Sequence, residues 1–344
     1  MQTLITGGAG FIGSHLAERL IAEGRRVIVL DDLSTGSREN LERLSGHPRF
    51  TFVQGSVLDE HLVGDLMLGC DTVVHLAAAV GVRYILANPL EAIKTNVDGT
   101  DIILRLAAPS RRKVLVASTS EVYGKNSSGP LCETADSILG PSQIERWSYA
   151  TAKKLDEFLA FAYAQTYQLP VIITRFFNIV GPRQRARYGM VLPNFIRAAL
   201  AGKPIRVFGD GLQTRNFCFV EDCLDALLQL LSSHAAEGHV FNIGGPEEIS
   251  MMELAERVKR ITGSPSPIVK VPYDEAYPEG NFEDMRRRVP CICGIHRLTR
   301  WSPKTSLESV IAQTSAYERH RAIPLQPPTP VAIEQAVPCT CLVM

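Results

Sequence analysis

The sequence predicts an α/β protein in which a doubly wound parallel sheet carries a smaller C-terminal domain. Three observations predict it: short apolar runs alternate with helical patterns up to about residue 170, a glycine-rich turn links the first run to the first helical pattern, and the texture changes after Arg175. Alternation of this kind specifies parallel strands whose crossover helices cover both faces. The first strand is Thr3-Leu4-Ile5, and residues 14–21 have apolar side chains at helical spacing. Arg26-Val27-Ile28-Val29-Leu30 reads as the second strand. Further strands are expected at 49–53, 72–76, 113–117 and 170–174, with helices at 91–107 and 149–167 among the connections. Residues 176–216 carry more Pro, Gly and Arg, 217–231 reads again as strand and helix, and 250–262 as a helix. The expected organisation is a sheet domain at 1–174 to which the chain returns near 215–235, a second domain at 175–320, and an extended or disordered Pro-rich tail at 321–344.

The turn after the first strand is Thr6-Gly7-Gly8-Ala9-Gly10-Phe11-Ile12-Gly13. Its place between a strand and a helix makes it a dinucleotide-binding turn. Gly7 permits the tight turn, Gly10 lets the backbone approach a pyrophosphate, and Gly13 lets helix and strand pack closely, while the N–H groups of Phe11 and Ile12 at the helix N-terminus face the phosphate charge. Asp31, followed by Asp32, closes the second strand, where a carboxylate accepts hydrogen bonds from an adenosine ribose and repels a 2′-phosphate. The sheet is therefore expected to be Rossmann-type and the cofactor NAD rather than NADP, with Arg38 the nearby residue that argues the other way.

A chain of 344 residues is long enough for a large core or two closely packed domains. Apolar content of 45% and charged content of 21% are ordinary for a soluble globular protein. Lys plus Arg equals Asp plus Glu at 36 each, so no electrostatic footprint points to nucleic acid or an anionic membrane. No run of roughly eighteen apolar residues and no charged segment followed by an apolar one at the N-terminus marks a membrane span or signal, so a cytosolic location is expected. Cys70, Cys132, Cys218 and Cys223 are scattered, while Cys291/Cys293 and Cys339/Cys341 form C-x-C pairs. That is not the C-x-x-C spacing of zinc knuckles, and His296 is the only histidine near either pair, so reduced thiols and no metal are expected. The ending Cys341-Leu342-Val343-Met344 formally matches a prenylation box, with Cys339 as a second acylation site, but lacks the usual basic cluster upstream.

Ser148-Tyr149-Ala150-Thr151-Ala152-Lys153 opens an apolar helix that continues through Leu155, Phe158, Leu159 and Phe161. Tyr149 and Lys153 are four apart and share a helix face. A phenol with a pKa of about 10 is a poor base at neutral pH, and a neighbouring ammonium favours phenolate. Such a tyrosine can accept a hydroxyl proton while hydride leaves the same carbon for a nicotinamide.

Combined with the N-terminal turn, this pair resembles the extended short-chain dehydrogenase/reductase family of nucleotide-sugar epimerases, dehydratases and decarboxylases, over about residues 1–320. Further matching pieces are His75-Leu76-Ala77-Ala78, Asn96-Val97-Asp98-Gly99-Thr100, Ser118-Thr119-Ser120-Glu121-Val122-Tyr123-Gly124, Arg175-Phe176-Phe177-Asn178, Gly181-Pro182-Arg183-Gln184 and Gly209-Asp210-Gly211-Leu212-Gln213-Thr214-Arg215. The resemblance implies tightly held NAD, oxidation of a sugar at carbon 4, chemistry enabled by the ketone, and return of the hydride. It implies that Leu76, Ala77 and Ala78 line the cofactor, that Thr119 hydrogen-bonds the reacting hydroxyl, that Asn178 contacts the sugar or its phosphate, and that Arg215 and Arg288 bind the diphosphate. Bidentate guanidinium recognition suits that task. His75 is expected to pack beneath the cofactor rather than react, and Asp59 to be a solvated or capping carboxylate. Relatives also imply a homodimer built on the helices at 91–107 and 149–167. Two departures stand out: Gly55-Ser56-Val57 has Ser56, with Val57 beside it, where many relatives have an adenine-contacting Asp, and Arg288-Val289-Pro290-Cys291 ends in Cys where they have Asp.

Ser120-Glu121 discriminates among reactions. Thr-Ser-Glu resembles the UDP-glucuronate decarboxylases and, less closely, the GDP-mannose 4,6-dehydratases, and Arg146-Trp147 points to the decarboxylases because Arg146 suits a hexuronate carboxylate. Oxidation at carbon 4 of UDP-glucuronate makes a β-keto acid that loses carbon dioxide, leaving an enolate for Tyr149 and Thr119 to stabilise. Glu121 or a bound water is then expected to help manage protonation at carbon 5, and Arg288 resembles the decarboxylase arginine that assists this step, giving UDP-xylose or, without reduction, the 4-keto-pentose. The alternatives are 4-epimerisation of a UDP-hexose or UDP-hexuronate, 4,6-dehydration of a nucleotide-linked hexose, and, in another class, a non-catalytic NAD sensor.

Overall fold

The computed structural model describes residues 1–185, 190–245, 247–276 and 283–321; the tail from 322, with Cys339 and Cys341, lies outside them. Arg321, assigned to the tail by the sequence, instead ends a final helix, Leu307–Arg321, where its guanidinium donates to Glu39 at 2.7 Å.

Six strands follow the apolar runs: β1 (Gln2–Thr6), β2 (Arg26–Asp31), β3 (Phe50–Gln54), β4 (Thr72–His75), β5 (Lys113–Thr119) and β6 (Val171–Phe176). They form one parallel sheet in the order β3-β2-β1-β4-β5-β6, extended beyond β6 by His239–Ile243. Helices α1 (Phe11–Ala22), α2 (Glu60–Met67), α3 (Val82–Ala87), α4 (Pro89–Ala107), α5 (Arg146–Tyr167), α6 (Val191–Leu200) and α7 (Val220–Ser232) follow in chain order. Successive strand residues bury on opposite faces. Leu4, Val114, Val116 and Ile173 join a core with Val63, Ile103, Leu104 and Ala160 from α2, α4 and α5. Ile5, Leu115 and Ile172 join another with Leu16, Ile196 and Leu227 from α1, α6 and α7. Burial on both faces is why the strands read as continuous Val/Ile/Leu runs.

The seventh strand, His239–Ile243, lies within the stretch the sequence assigns to the second domain. Its run contains His239 and Asn242, a weak strand signal, and pairing with β6 decides its state. The rest of that stretch forms small sheets: Ile205–Phe208 pairs with Ile268–Val271, and Thr214–Arg215 lies between Ile249–Ser250 and Arg287–Arg288. Helix α8 (Met251–Thr262) starts at a capping box made by Ser250 and Glu253 and stops at Gly263, whose φ is 66°. Among the described residues, no helix is long and apolar enough to cross a membrane. The winding of the sheet reverses between β1 and β4, which opens a crevice at the C-terminal strand ends.

Candidate functional site

One half of the crevice is the glycine turn. Gly7 has φ 70°, and a Cβ there would lie 2.7 Å from the Ala77 nitrogen. A Cβ on Gly13 would lie 2.5 Å from the Gly7 carbonyl oxygen, so its close neighbour is the turn itself. Gly8, to which the sequence pattern assigned no role, is pressed against Val29. Gly10 is the N-cap of α1 and makes no side-chain cap, so the first-turn N–H groups, those of Phe11 and Ile12 included, have no partner within the helix. A turn that a Cβ would fill, at a helix N-terminus, fits the pyrophosphate of a dinucleotide.

Leu76 and Ala77 run against this turn: the Leu76 N–H donates to the Thr6 carbonyl at 3.0 Å and the Ala77 N–H to the Thr6 hydroxyl at 3.3 Å. Ala78 follows, and the Ala79 N–H donates to Asn96 at 2.8 Å. His75 is buried between the hydroxyls of Thr6, at 2.8 Å, and Thr100, at 3.2 Å. Burial, then the charge of Lys153, push its pKa down to about 3, so the ring packs as a neutral group. Asp31 is buried at the end of β2 and accepts the N–H groups of Ala9 and Leu33, both at 2.9 Å. Burial raises its pKa against those donors, and its oxygens keep lone pairs for a ribose. Asp32 is exposed and accepts from the N–H and hydroxyl of Ser34. Arg38 donates to Gln54 at 2.8 Å and stacks on Phe52. Ser56 accepts the Leu58 N–H at 3.1 Å, Val57 packs against Gly99, and Asp59 caps α2 by accepting the Leu62 N–H.

The other half forms where β5 ends in Thr119 and α5 begins. Tyr149 and Lys153 lie one turn apart on α5, and the Thr119 hydroxyl, which accepts the Glu121 N–H at 3.2 Å, lies close enough to the Tyr149 phenol to act on its pKa. Lys153 pairs with Asp156 at 2.7 Å, and both are sealed from solvent. The expectation that Lys153 lowers the Tyr149 pKa is corrected here: burial, then the carboxylates of Glu121 and Asp156, push the phenol up. The local partner of the ammonium is Asp156, one turn further along the same helix.

Ser120 is buried beside Thr119, and Glu121 is clamped by two arginines. Arg146 holds one carboxylate oxygen at 2.5 Å and Arg288 the other, across 167 residues of sequence. Burial acts to raise the Glu121 pKa, but the charges of Arg146 and then Arg288 overcome it and pull it down to about 2. Glu121 is therefore a fixed carboxylate at neutral pH, which corrects its expected part in protonation, and the Arg146 side chain is engaged by Glu121. Arg288 also donates to Asn178 at 3.0 Å, and Asn178, with φ 40°, donates to the Asn216 carbonyl. Strand pairing sets Arg215 beside Arg288, and Arg215 donates to Asp284 at 2.6 Å. Burial, then Arg288, bring the Arg215 pKa down to about 10. Arg286 and Arg287 pair with Asp210 and Glu248, so Arg288 alone of the three joins the Glu121 clamp.

Sequence reasoning missed the partners behind the site. Arg175 grips Glu157 on α5 with two hydrogen bonds of 2.7 Å and donates to the Tyr123 hydroxyl, which donates to Asn242; Ser118 also donates to Glu157. An arginine at the end of an otherwise apolar strand was the available signal.

The chain matches the NAD dependent epimerase/dehydratase family over residues 3–244. It is 41% identical over 319 residues to a UDP-N-acetyl-alpha-D-glucosaminuronate decarboxylase of Bacillus cytotoxicus, covering 92% of this chain and 98% of that one. It is 38% identical over 308 residues to UDP-glucuronic acid decarboxylase 3 of Arabidopsis thaliana, covering 89% and 86%. It superposes with a TM-score of 0.84 and 28% identity on the UDP-glucuronic acid 4-epimerase from Bacillus cereus in complex with UDP-glucuronic acid and NAD, covering 93% and 100%.

Proposed function

The chain belongs to the NAD-dependent epimerase/dehydratase family, and on that premise we propose that it oxidatively decarboxylates a UDP-linked hexuronate, UDP-glucuronate or its 2-acetamido counterpart. The observation that carries this reading is the Glu121 clamp, in which the charges of Glu121 and Arg146 reach the Tyr149 phenol while Glu121 and Asn178 hold the Arg288 guanidinium. NAD, when bound, supplies the hydride acceptor for sugar carbon 4 and a positive ring charge near the phenol. Gly7, Gly10, Gly13 and the N–H groups of Phe11 and Ile12 would hold its pyrophosphate, Asp31 its ribose, and Leu76, Ala77 and Ala78 its flank. Tyr149 takes the carbon 4 hydroxyl proton, and Thr119 orients that oxygen. After carbon dioxide leaves, the Tyr149 and Thr119 hydroxyls donate to the enolate oxygen. Glu121 positions Arg288 and Arg146 rather than moving protons. Residues 175–320 would bind the nucleotide, with Arg215 and Arg288 on its diphosphate.

Incubation with NAD and each UDP-uronate, with products resolved by anion exchange and mass, tests the reaction. Loss of one carbon dioxide from either is the expected result. An isobaric product would make the protein a uronate 4-epimerase, and no product from either would overturn the uronate reading.

The proposal includes a homodimer in the cytosol, a compartment in which exposed thiols such as Cys132 and Cys293 persist reduced. Leu155, Phe158 and Phe161 on α5 and Leu90 and Ile93 on the adjoining α4 are exposed apolar residues on neighbouring helices. Exposed apolar groups gathered in this way favour association. Phe158→Glu is expected to halve the mass measured by light scattering; an unchanged mass would show that α5 is not the interface.

A further inference from the structure

Cys132, Cys291 and Cys293 come together although the sequence separates the first from the others. Leu131 and Pro290 form a parallel bridge, the Leu131 N–H donates to the Val289 carbonyl at 2.8 Å, and the Cys291 N–H donates to the Leu131 carbonyl at 2.9 Å. Cys132 thus lies alongside Cys291, and the thiols of Cys132 and Cys293 are near enough to Cys291 to influence its ionisation. All three are free thiols, with Cys132 and Cys293 exposed. Among the described residues no group of His, Cys, Asp or Glu is arranged to hold a metal.

We propose that this trio is a peroxide-oxidisable modification site, in which Cys291 is the reacting sulfur and Cys132 the thiol that resolves it as a disulfide. Adjacent strands lie about 4.8 Å apart, within the ~4.4–6.8 Å Cα separation that a disulfide spans. Burial opposes charge on Cys291, but the Cys293 N–H and the neighbouring thiols of Cys293 and Cys132 lower its pKa, while Cys132, beside it, is raised to about 11. The Cys291 thiolate attacks one peroxide oxygen, the O–O bond breaks, and a sulfenic acid and water form after protonation. The Cys132 thiol then attacks the Cys291 sulfur and expels a second water, so two thiols are oxidised and one peroxide is reduced. The crosslink closes three residues from Arg288. It also closes where Asn242 donates to the carbonyls of both Leu131 and Cys291.

The full chain carrying Cys339→Ser and Cys341→Ser, treated with hydrogen peroxide, alkylated and digested, provides the test. The expected result is a loss of two hydrogens and a linked peptide pair containing Cys132 and Cys291, reversed by dithiothreitol and absent in Cys132→Ser. Full alkylation of all three thiols after peroxide overturns the proposal, as does a Cys291–Cys293 link formed equally well in Cys132→Ser.

Discussion

Tyr149→Phe is expected to lower turnover by about 10³-fold or more, the upper part of the range for loss of a positioned acid/base. The substitution removes one oxygen and leaves the ring packed against Ala79, Ile85 and Ala92, so folding and nucleotide affinity should change little. Its phenol lies close to the Thr119 hydroxyl at the end of β5, where a sugar hydroxyl would enter. Turnover of UDP-uronate by the purified variant, with bound NAD measured in parallel, checks the prediction. Turnover within tenfold of the parent would remove Tyr149 from the mechanism. A protein that only senses NAD would keep its biological activity in this variant.

Glu121→Gln should be less severe for turnover but costly for stability, through position rather than proton transfer. It keeps the side-chain volume but withdraws the charge that Arg146 and Arg288 share, leaving the buried Arg146 and half-buried Arg288 guanidinium groups on either side of a neutral amide. Removing one member of a buried ionic cluster is costly, and a carboxyl pulled from 4.5 to about 2 corresponds to about 3 kcal/mol of stability at neutral pH. Because the folded-state pKa is depressed, that stability is present above about 4.5 and is lost as pH falls toward about 2. Denaturant unfolding of parent and variant should therefore differ by about 3 kcal/mol at pH 7 and converge in acid. Turnover should fall about 10²-fold as Arg288 loses its anchor. Equal stability and equal turnover at pH 7 would mean that the clamp does not exist in solution.

These two residues differ in how far they could be read beforehand. Tyr149 and Lys153 are four apart on one helix, so the local period puts them together, and the spacing of Gly7, Gly10 and Gly13 is a local turn requirement. The partners that set their chemistry are not local. Glu121 meets Arg288 across 167 residues, and nothing in the spacing of either predicts the meeting. Asp156 lies only three residues from Lys153, yet acidic residues on helices are too common for one to be singled out.

Local sequence sufficed for the parallel sheet, the glycine turn, Asp31 at the end of the second strand and the helix carrying Tyr149 and Lys153, because each rests on side-chain period or backbone conformation within a few residues. Folding decided that His239–Ile243 completes the sheet, that Glu121 is a fixed carboxylate, that Tyr149 has its pKa raised rather than lowered, and that Cys132 joins Cys291 and Cys293. Charge state and pairing depend on burial and on partners brought from distant positions, and those exist only once the chain has folded.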